Sequence, residues 1–222
     1  MASLTAVSAL RRPLLFWGLS LMVLAAGAWL VCPSGLCATT VLDSVGLGLA
    51  HSLRYAVLDG WMQGFTWLGS LVVLLPLMAL ACARKVRDGQ RREAVFLMLA
   101  LSGASTLAHL TKLLVSRPRP DLYAALVPLP IDWSYPSAHT MQVVAFAVAF
   151  ILVFATRRVL WVGLFGLLVF VVGLSRIYLQ VHFPSDVLAG ALAALCWVAG
   201  LYALMFGGNF GKDPVHEGRG RR

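Results

Sequence analysis

Six stretches of this chain run for 16 to 25 residues without an Asp, Glu, Lys or Arg: 13–31, 63–83, 94–111, 140–156, 159–174 and 187–211. A bilayer core about 30 Å thick needs roughly 20 apolar residues of helix, within a range of about 17–25. The shortest stretch, 159–174, reaches that length if its helix continues through Ser175 and Arg176, which turns the arginine toward the bundle interior. The 222 residues are 60% hydrophobic and 12% charged, whereas a soluble domain carries about 25% charged residues. A soluble fold of this size has too little polar surface to cover so much apolar chain. The expected fold class is therefore all-α: a single polytopic domain, 1–222, with six transmembrane helices.

The 18 Lys and Arg exceed the 9 Asp and Glu, for a formal charge of +9. Nucleic-acid binding needs such cations gathered on one solvated face. Here 13 of the 18 fall at the termini and in two of the inter-span connections. By the positive-inside rule they place both termini in the cytoplasm, most simply of a bacterial inner membrane, and the partner they imply is the lipid bilayer, with no nucleic acid. The other five, Arg54, Lys112, Arg117, Arg119 and Arg176, lie on the outer face, where the rule disfavours them and a functional reason is needed.

The first span follows Arg11 and Arg12 and could pass for a signal peptide, but its length exceeds the usual apolar region of about 7–15 residues, so it is read as a retained helix. Residues 38–60 carry Leu42, Val45, Leu49, Leu53 and Ala56 at helical spacing, as an amphipathic helix in the outer interface would; a re-entrant or core-packed segment fits the same pattern. The Gly/Arg-rich end, 212–222, reads as a disordered basic tail. Cys32 and Cys37 flank a short outer turn, PSGL, and suit either a disulfide in an oxidising compartment or two free thiols.

Three polar clusters stand at the outer ends of the later spans. In KLLVSRPRP, 112–120, the two prolines force the residues before them out of helical conformation, so Arg117 and Arg119 leave the membrane on a stiff extended turn. Read alone, these cations favour snorkelling anchors over an anion site. In PSAH, 136–139, Ser137 and the free amides near Ala138 form either a plain helix cap or an anion nest with His139 beside it. In SRIYLQVHFPSD, 175–186, Asp186 follows His182 by one helical turn. Its carboxylate can hold one ring nitrogen as N–H and leave the other as a lone pair, as a nucleophile requires; the alternative is a carboxylate that complements the helix dipole.

Together, Lys112, Arg119 and Pro120, then PSAH at 136–139, then Ser175, Arg176, His182 and Asp186 resemble the three-part signature of the type-2 phosphatidic acid phosphatase family of integral membrane lipid phosphatases. Ala138 stands where that family usually has Gly. The resemblance implies a phosphatase or diphosphatase for a membrane lipid phosphate such as undecaprenyl diphosphate, phosphatidylglycerol phosphate or phosphatidic acid, acting at the outer, periplasmic face. It implies His182 as a nucleophile that forms a phosphohistidine, Asp186 as its orienting carboxylate and His139 as proton donor and then base. Lys112, Arg119, Ser137, Ala138 and Arg176 would bind the phosphate. No carboxylate cluster suited to Mg²⁺ is visible, because Asp121 and Asp132 stand apart from Asp186, so no metal and no cofactor is expected. Transfer to another lipid, lipid A dephosphorylation and, in another class, lipid transport are the rival readings.

Arg117 falls outside the signature and reads as a solvated or headgroup anchor, in preference to a contact with the second phosphate of a diphosphate. The 121–135 loop, with Tyr123, Pro128, Pro130, Trp133 and Tyr135, reads as an interfacial rim or lid. His109 reads as packed between helices, and His51 has no evident partner.

Overall fold

The computed structural model describes residues 2–207, and among these the secondary structure is entirely helical. The helices are α1 (Ala2–Val31), α2 (Val41–Ser52), α3 (Ala56–Trp67), α4 (Leu71–Arg87), α5 (Arg91–Val115), α6 (Ala138–Phe154), α7 (Arg158–Tyr178) and α8 (Pro184–Phe206), with one 3-10 turn at Pro33–Gly35. The expected tail, 212–222, lies outside the described residues.

By length and composition, four segments can cross a membrane: Leu10–Val31, Arg91–Val115, Arg158–Tyr178 and Pro184–Phe206. A fifth is assembled from α3 and α4, which meet at a bend of 44°. The remaining expected span is α6, an apolar helix of 17 residues. The count of four, or five with the bent pair, is thus lower than the six expected from uncharged stretches, because one span is broken and another is short. In α1 and α7 only 17% and 22% of the most apolar window is buried. Apolar helices that leave so much hydrocarbon uncovered need lipid as their solvent.

The expected continuous helix over 63–83 breaks at 68–70, where Gly69 and Ser70 replace good helix formers. A Cβ at Gly69 would lie 2.5 Å from Val172 and 3.3 Å from the Cβ of His139, so glycine is what lets this corner reach the site. The expected helix over 38–60 is likewise two helices, interrupted at 53–55. There the chain turns around the end of α7: Arg54 donates to the Tyr178 carbonyl at 3.4 Å and the Tyr178 hydroxyl donates to Asp59 at 2.6 Å. Within α2 the stripe of Leu42, Val45 and Leu49 is exposed while Asp43, Leu47 and Ala50 are buried, the orientation of a helix lying at an apolar interface. Thr40 caps it, accepting from the Asp43 amide at 3.2 Å.

The core lies between α4, α5, α6 and α8, where Phe96, Leu97, Leu101, Val143, Phe146, Val198 and Leu201 interlock. α1 packs along α8: Ser20 donates to the Ala193 carbonyl at 2.8 Å, and Trp17 stacks on Trp197 at 5.8 Å between ring centres. Arg176, on the expected extension of the fifth span, is 4% exposed and faces inward as expected. Cys32 and Cys37 form a disulfide.

Candidate active site

Three chain segments converge at the end of the bundle where α5 finishes and α6 and α8 begin. α5 stops at Ser116, whose left-handed φ of 51° turns the chain sharply before Pro118. In the run that follows, Arg117 turns inward to Asp43 and Asp186, while Arg119 reaches Asp132 and the Val181 carbonyl. Pro184 opens α8, and Asp186 accepts from the Phe183 amide at 3.0 Å.

A cavity of about 240 Å³ is lined by Lys112, Arg119, Ala138, His139, Arg176 and His182, with His109, Asp132 and Gln142 also on its wall. Six of the eight expected site residues therefore share one chamber. The seventh, Asp186, is fully buried behind His182, with Oδ2 3.5 Å from Nδ1. The eighth, Ser137, does not line the cavity. Its hydroxyl accepts from Thr140 at 2.9 Å, it makes no side-chain cap, and its amide donates to the Asp186 carbonyl at 3.1 Å. It joins the α6 start to the α8 start.

His182 is 1% exposed. Burial first, and then the charges of Arg176, Arg119 and Lys112, hold its pKa well below the ordinary 6.5. Its Nε2 lies 3.4 Å from an Arg119 nitrogen. On the Nδ1 side stands Ser134, 3.5 Å away, which also donates to Asp186. Serine and carboxylate together thus face the nitrogen expected to carry the proton.

Arg117 corrects its expected role as a headgroup anchor. It is 1% exposed, donating to Asp186 at 2.6 Å, Ser185 at 2.8 Å and Asp43 at 2.8 Å, with its guanidinium 3.8 Å over the Phe183 ring. Asp43, from α2, also accepts from the Ser185 amide at 3.0 Å. This guanidinium fixes the carboxylate that faces His182. One signal could have found it: Asp43, an acidic residue inside the apolar helix α2 that needed a partner.

Ser134 and Asp132 also escaped the sequence reading as site residues. Lys112 sits 3.3 Å from Asp132 and donates to the Trp133 carbonyl; Arg119 donates to the Asp132 carboxylate, to its carbonyl at 2.9 Å, and to the Val181 carbonyl at 2.6 Å. In the 121–135 loop, Trp133 is exposed as a rim residue would be, but Tyr135 is fully buried and its hydroxyl anchors to the Leu24 carbonyl at 2.9 Å. His109 is exposed at the cavity edge instead of packed between helices, and His51 stacks on Tyr123 at 4.1 Å. Among the described residues no group of three or more His, Cys, Asp or Glu is arranged to hold a metal ion.

Comparison with known proteins adds an independent line. Residues 93–209 match the model of the PAP2 superfamily. Phosphatidylglycerophosphatase B of Bacillus subtilis is 35% identical over 151 residues, spanning 62% of this chain and 70% of that protein. An undecaprenyl-diphosphatase of Sulfolobus acidocaldarius is 31% identical over 151 residues, spanning 66% and 69%. Among solved structures, a transmembrane PAP2-type phosphatidylglycerolphosphate phosphatase from Bacillus subtilis superposes with a TM-score of 0.67 at 25% identity, over 88% of this chain and 94% of that one. LpxE from Aquifex aeolicus superposes with a TM-score of 0.59 at 27% identity, over 73% and 96%.

Proposed function

The chain belongs to the PAP2 superfamily and is an integral membrane protein, and from that premise we propose that it hydrolyses the terminal phosphate of a membrane lipid through a phosphohistidine. The observation that carries this reading is the cavity itself, in which two histidines and three cations meet with Asp186 directly behind one of the histidines.

His182 is the nucleophile. Its Nδ1 keeps the proton, facing Asp186 and Ser134, so Nε2 carries the lone pair that attacks phosphorus. As the N–P bond forms, the P–O bond to the lipid breaks, and His139, which takes up a proton once the bound phosphate offsets the charges of Lys112, Arg119 and Arg176, gives that proton to the departing oxygen. His139 then removes a proton from water, whose oxygen attacks phosphorus, breaks the N–P bond and releases phosphate. Lys112, Arg119, Arg176 and the amides at Ala138 and His139 hold the phosphoryl oxygens as charge shifts among them, a task in which positioning and electrostatics supply most of the rate. The same three cations serve where a metal otherwise would, so the reaction proceeds without one. Arg117, with Asp43, is a positioning group for Asp186.

Six crossings fit this reading: α1, the bent α3–α4 pair, α5, α6, α7 and α8. They leave both ends on the side rich in Arg and Lys, the cytoplasm, and set the cavity on the outer face. The Cys32–Cys37 disulfide, next to Arg117 and Phe183 around a common crevice, suits an oxidising compartment on that face.

Phosphate release from purified protein, measured on a panel of undecaprenyl diphosphate, phosphatidylglycerol phosphate, phosphatidic acid and lipid A with His182→Ala as blank, tests the reading. Release from at least one of these by the native chain alone supports it. Equal release by His182→Ala removes the nucleophile and the mechanism with it.

A further inference from the structure

The cations assigned to the substrate phosphate are already engaged. Lys112 and Arg119 both pair with the Asp132 carboxylate, one oxygen each. Their own side chains are 3% and 7% exposed, whereas that of Asp132 is 41% exposed. The carboxylate therefore stands on the solvent side of the two charges it neutralises. Burial by itself raises the Asp132 pKa, but the adjacent Lys112 and Arg119 outweigh this and hold it below the ordinary carboxylate value, so the group is an anion. The third cation is not matched in this way: Arg176 donates to Thr66, and its buried Nε has no hydrogen-bond partner.

The chain around Asp132 is an exposed tip between anchored ends. Residues 128–133 are all exposed, between fixed points on either side. Before them the Leu126 amide donates to the Leu179 carbonyl at 3.3 Å; after them the Ser134 amide donates to the Arg117 carbonyl at 2.8 Å and Tyr135 is anchored to α1. Within the tip, Lys112 and Arg119 hold the Asp132 carboxylate and the Asp132 and Trp133 carbonyls; beyond these contacts Ile131 is fully exposed and Pro128 and Pro130 have no amide hydrogen to donate.

We propose that Asp132 is a specificity-determining residue that occupies the phosphate site as an internal anion, which an incoming terminal phosphate must displace from Lys112 and Arg119. A single carboxylate is outcompeted by a phosphate group carrying two negative charges, which can also engage the open Nε of Arg176. A phosphodiester, with one charge and a bulky second ester, gains less from the exchange and is turned away. The same displacement governs release, because the carboxylate returns as free phosphate departs.

This inference rests on the proposed phosphate site, so its test carries a control for that site. In detergent, the full chain and its Asp132→Asn and Asp132→Ala variants are compared for KM on the lipid substrate found in the panel and for competitive inhibition by inorganic phosphate. Removing the internal competitor is expected to lower the phosphate inhibition constant about tenfold in both variants, and to lower KM by a larger factor than any change in kcat. A fall in the inhibition constant alone assigns the displacement to free phosphate; a fall in both extends it to the lipid's phosphate. An inhibition constant that is unchanged or higher in both variants overturns the proposal and makes Asp132 a fixed part of the site. Arg119→Ala separates the two levels: it must weaken phosphate inhibition in the native background, and if it does not, the phosphate-site reading itself fails.

Discussion

The two ends of the bundle handle charge in opposite ways. Where α4 meets α5, Arg84 and Asp88 form an i,i+4 pair with side chains 70% and 44% exposed, and even the buried Lys85 is satisfied locally by Gln90 and the Val153 carbonyl. At the other end Arg117 is 1% exposed between two carboxylates that are 0% exposed, and Lys112 and Arg176 are nearly as deep. Exposed pairs contribute little and cost little. Buried ones carry a desolvation penalty that pairing only partly offsets, so a fold that concentrates them in one place does so for chemistry more than for stability.

The sharpest way to break this contrast is Arg117→Ala, which leaves Asp43 and Asp186 buried and uncompensated; a loss of about 3–5 kcal/mol is expected by denaturation in detergent. Lysine restores the charge but not the fork that reaches two carboxylates, so Arg117→Lys recovers only part of it. A stability change as small as that of a surface mutant would place Arg117 with the other end's residues. Next in size, Arg176→Ala removes a cation from the cavity and is expected to reduce kcat by about 10²–10³-fold while the protein stays folded; undiminished turnover would detach the cavity from catalysis.

The pH profile follows. The reactive form of His182 is the neutral imidazole, and burial with three neighbouring cations holds its free-enzyme pKa below 6.5. Its protonation therefore leaves kcat/KM intact as pH falls through 6.5 and reduces it only in more acidic solution. An acid limb centred at or above 6.5 that persists in His139→Gln would show that the surrounding cations do not act on this histidine. The smallest effect is expected at the other end, where Arg84→Ala should change stability by less than about 1 kcal/mol and leave turnover unaltered.

What was legible in the sequence follows the same division. Lys112, Arg119, His139, Arg176, His182 and Asp186 announced themselves through spacing within three short segments, and the structure gathers them as those segments suggested. Arg117 did not, because its partners Asp43 and Asp186 lie 74 and 69 residues away along the chain, and in isolation an arginine beside a proline looks like an anchor. Asp132 and Ser134 sit in a loop without periodicity, where only tertiary placement gives them meaning. The helix boundaries were clear wherever a charged residue ended an apolar run. The breaks at 53–55 and 68–70 were not, since neither a lone Arg54 nor an uncharged stretch reveals a corner imposed by Tyr178 on one side and by His139 on the other.

The central claim is the covalent bond to His182. Lipid carrying radiolabelled phosphate, mixed with the purified chain and with a His139→Ala variant that slows the second step, then quenched in alkali, should leave label on the protein. That label should be acid-labile, map to the peptide containing His182 and be absent from His182→Ala. Turnover without any protein-bound label in either enzyme, or label that survives in His182→Ala, would contradict the account.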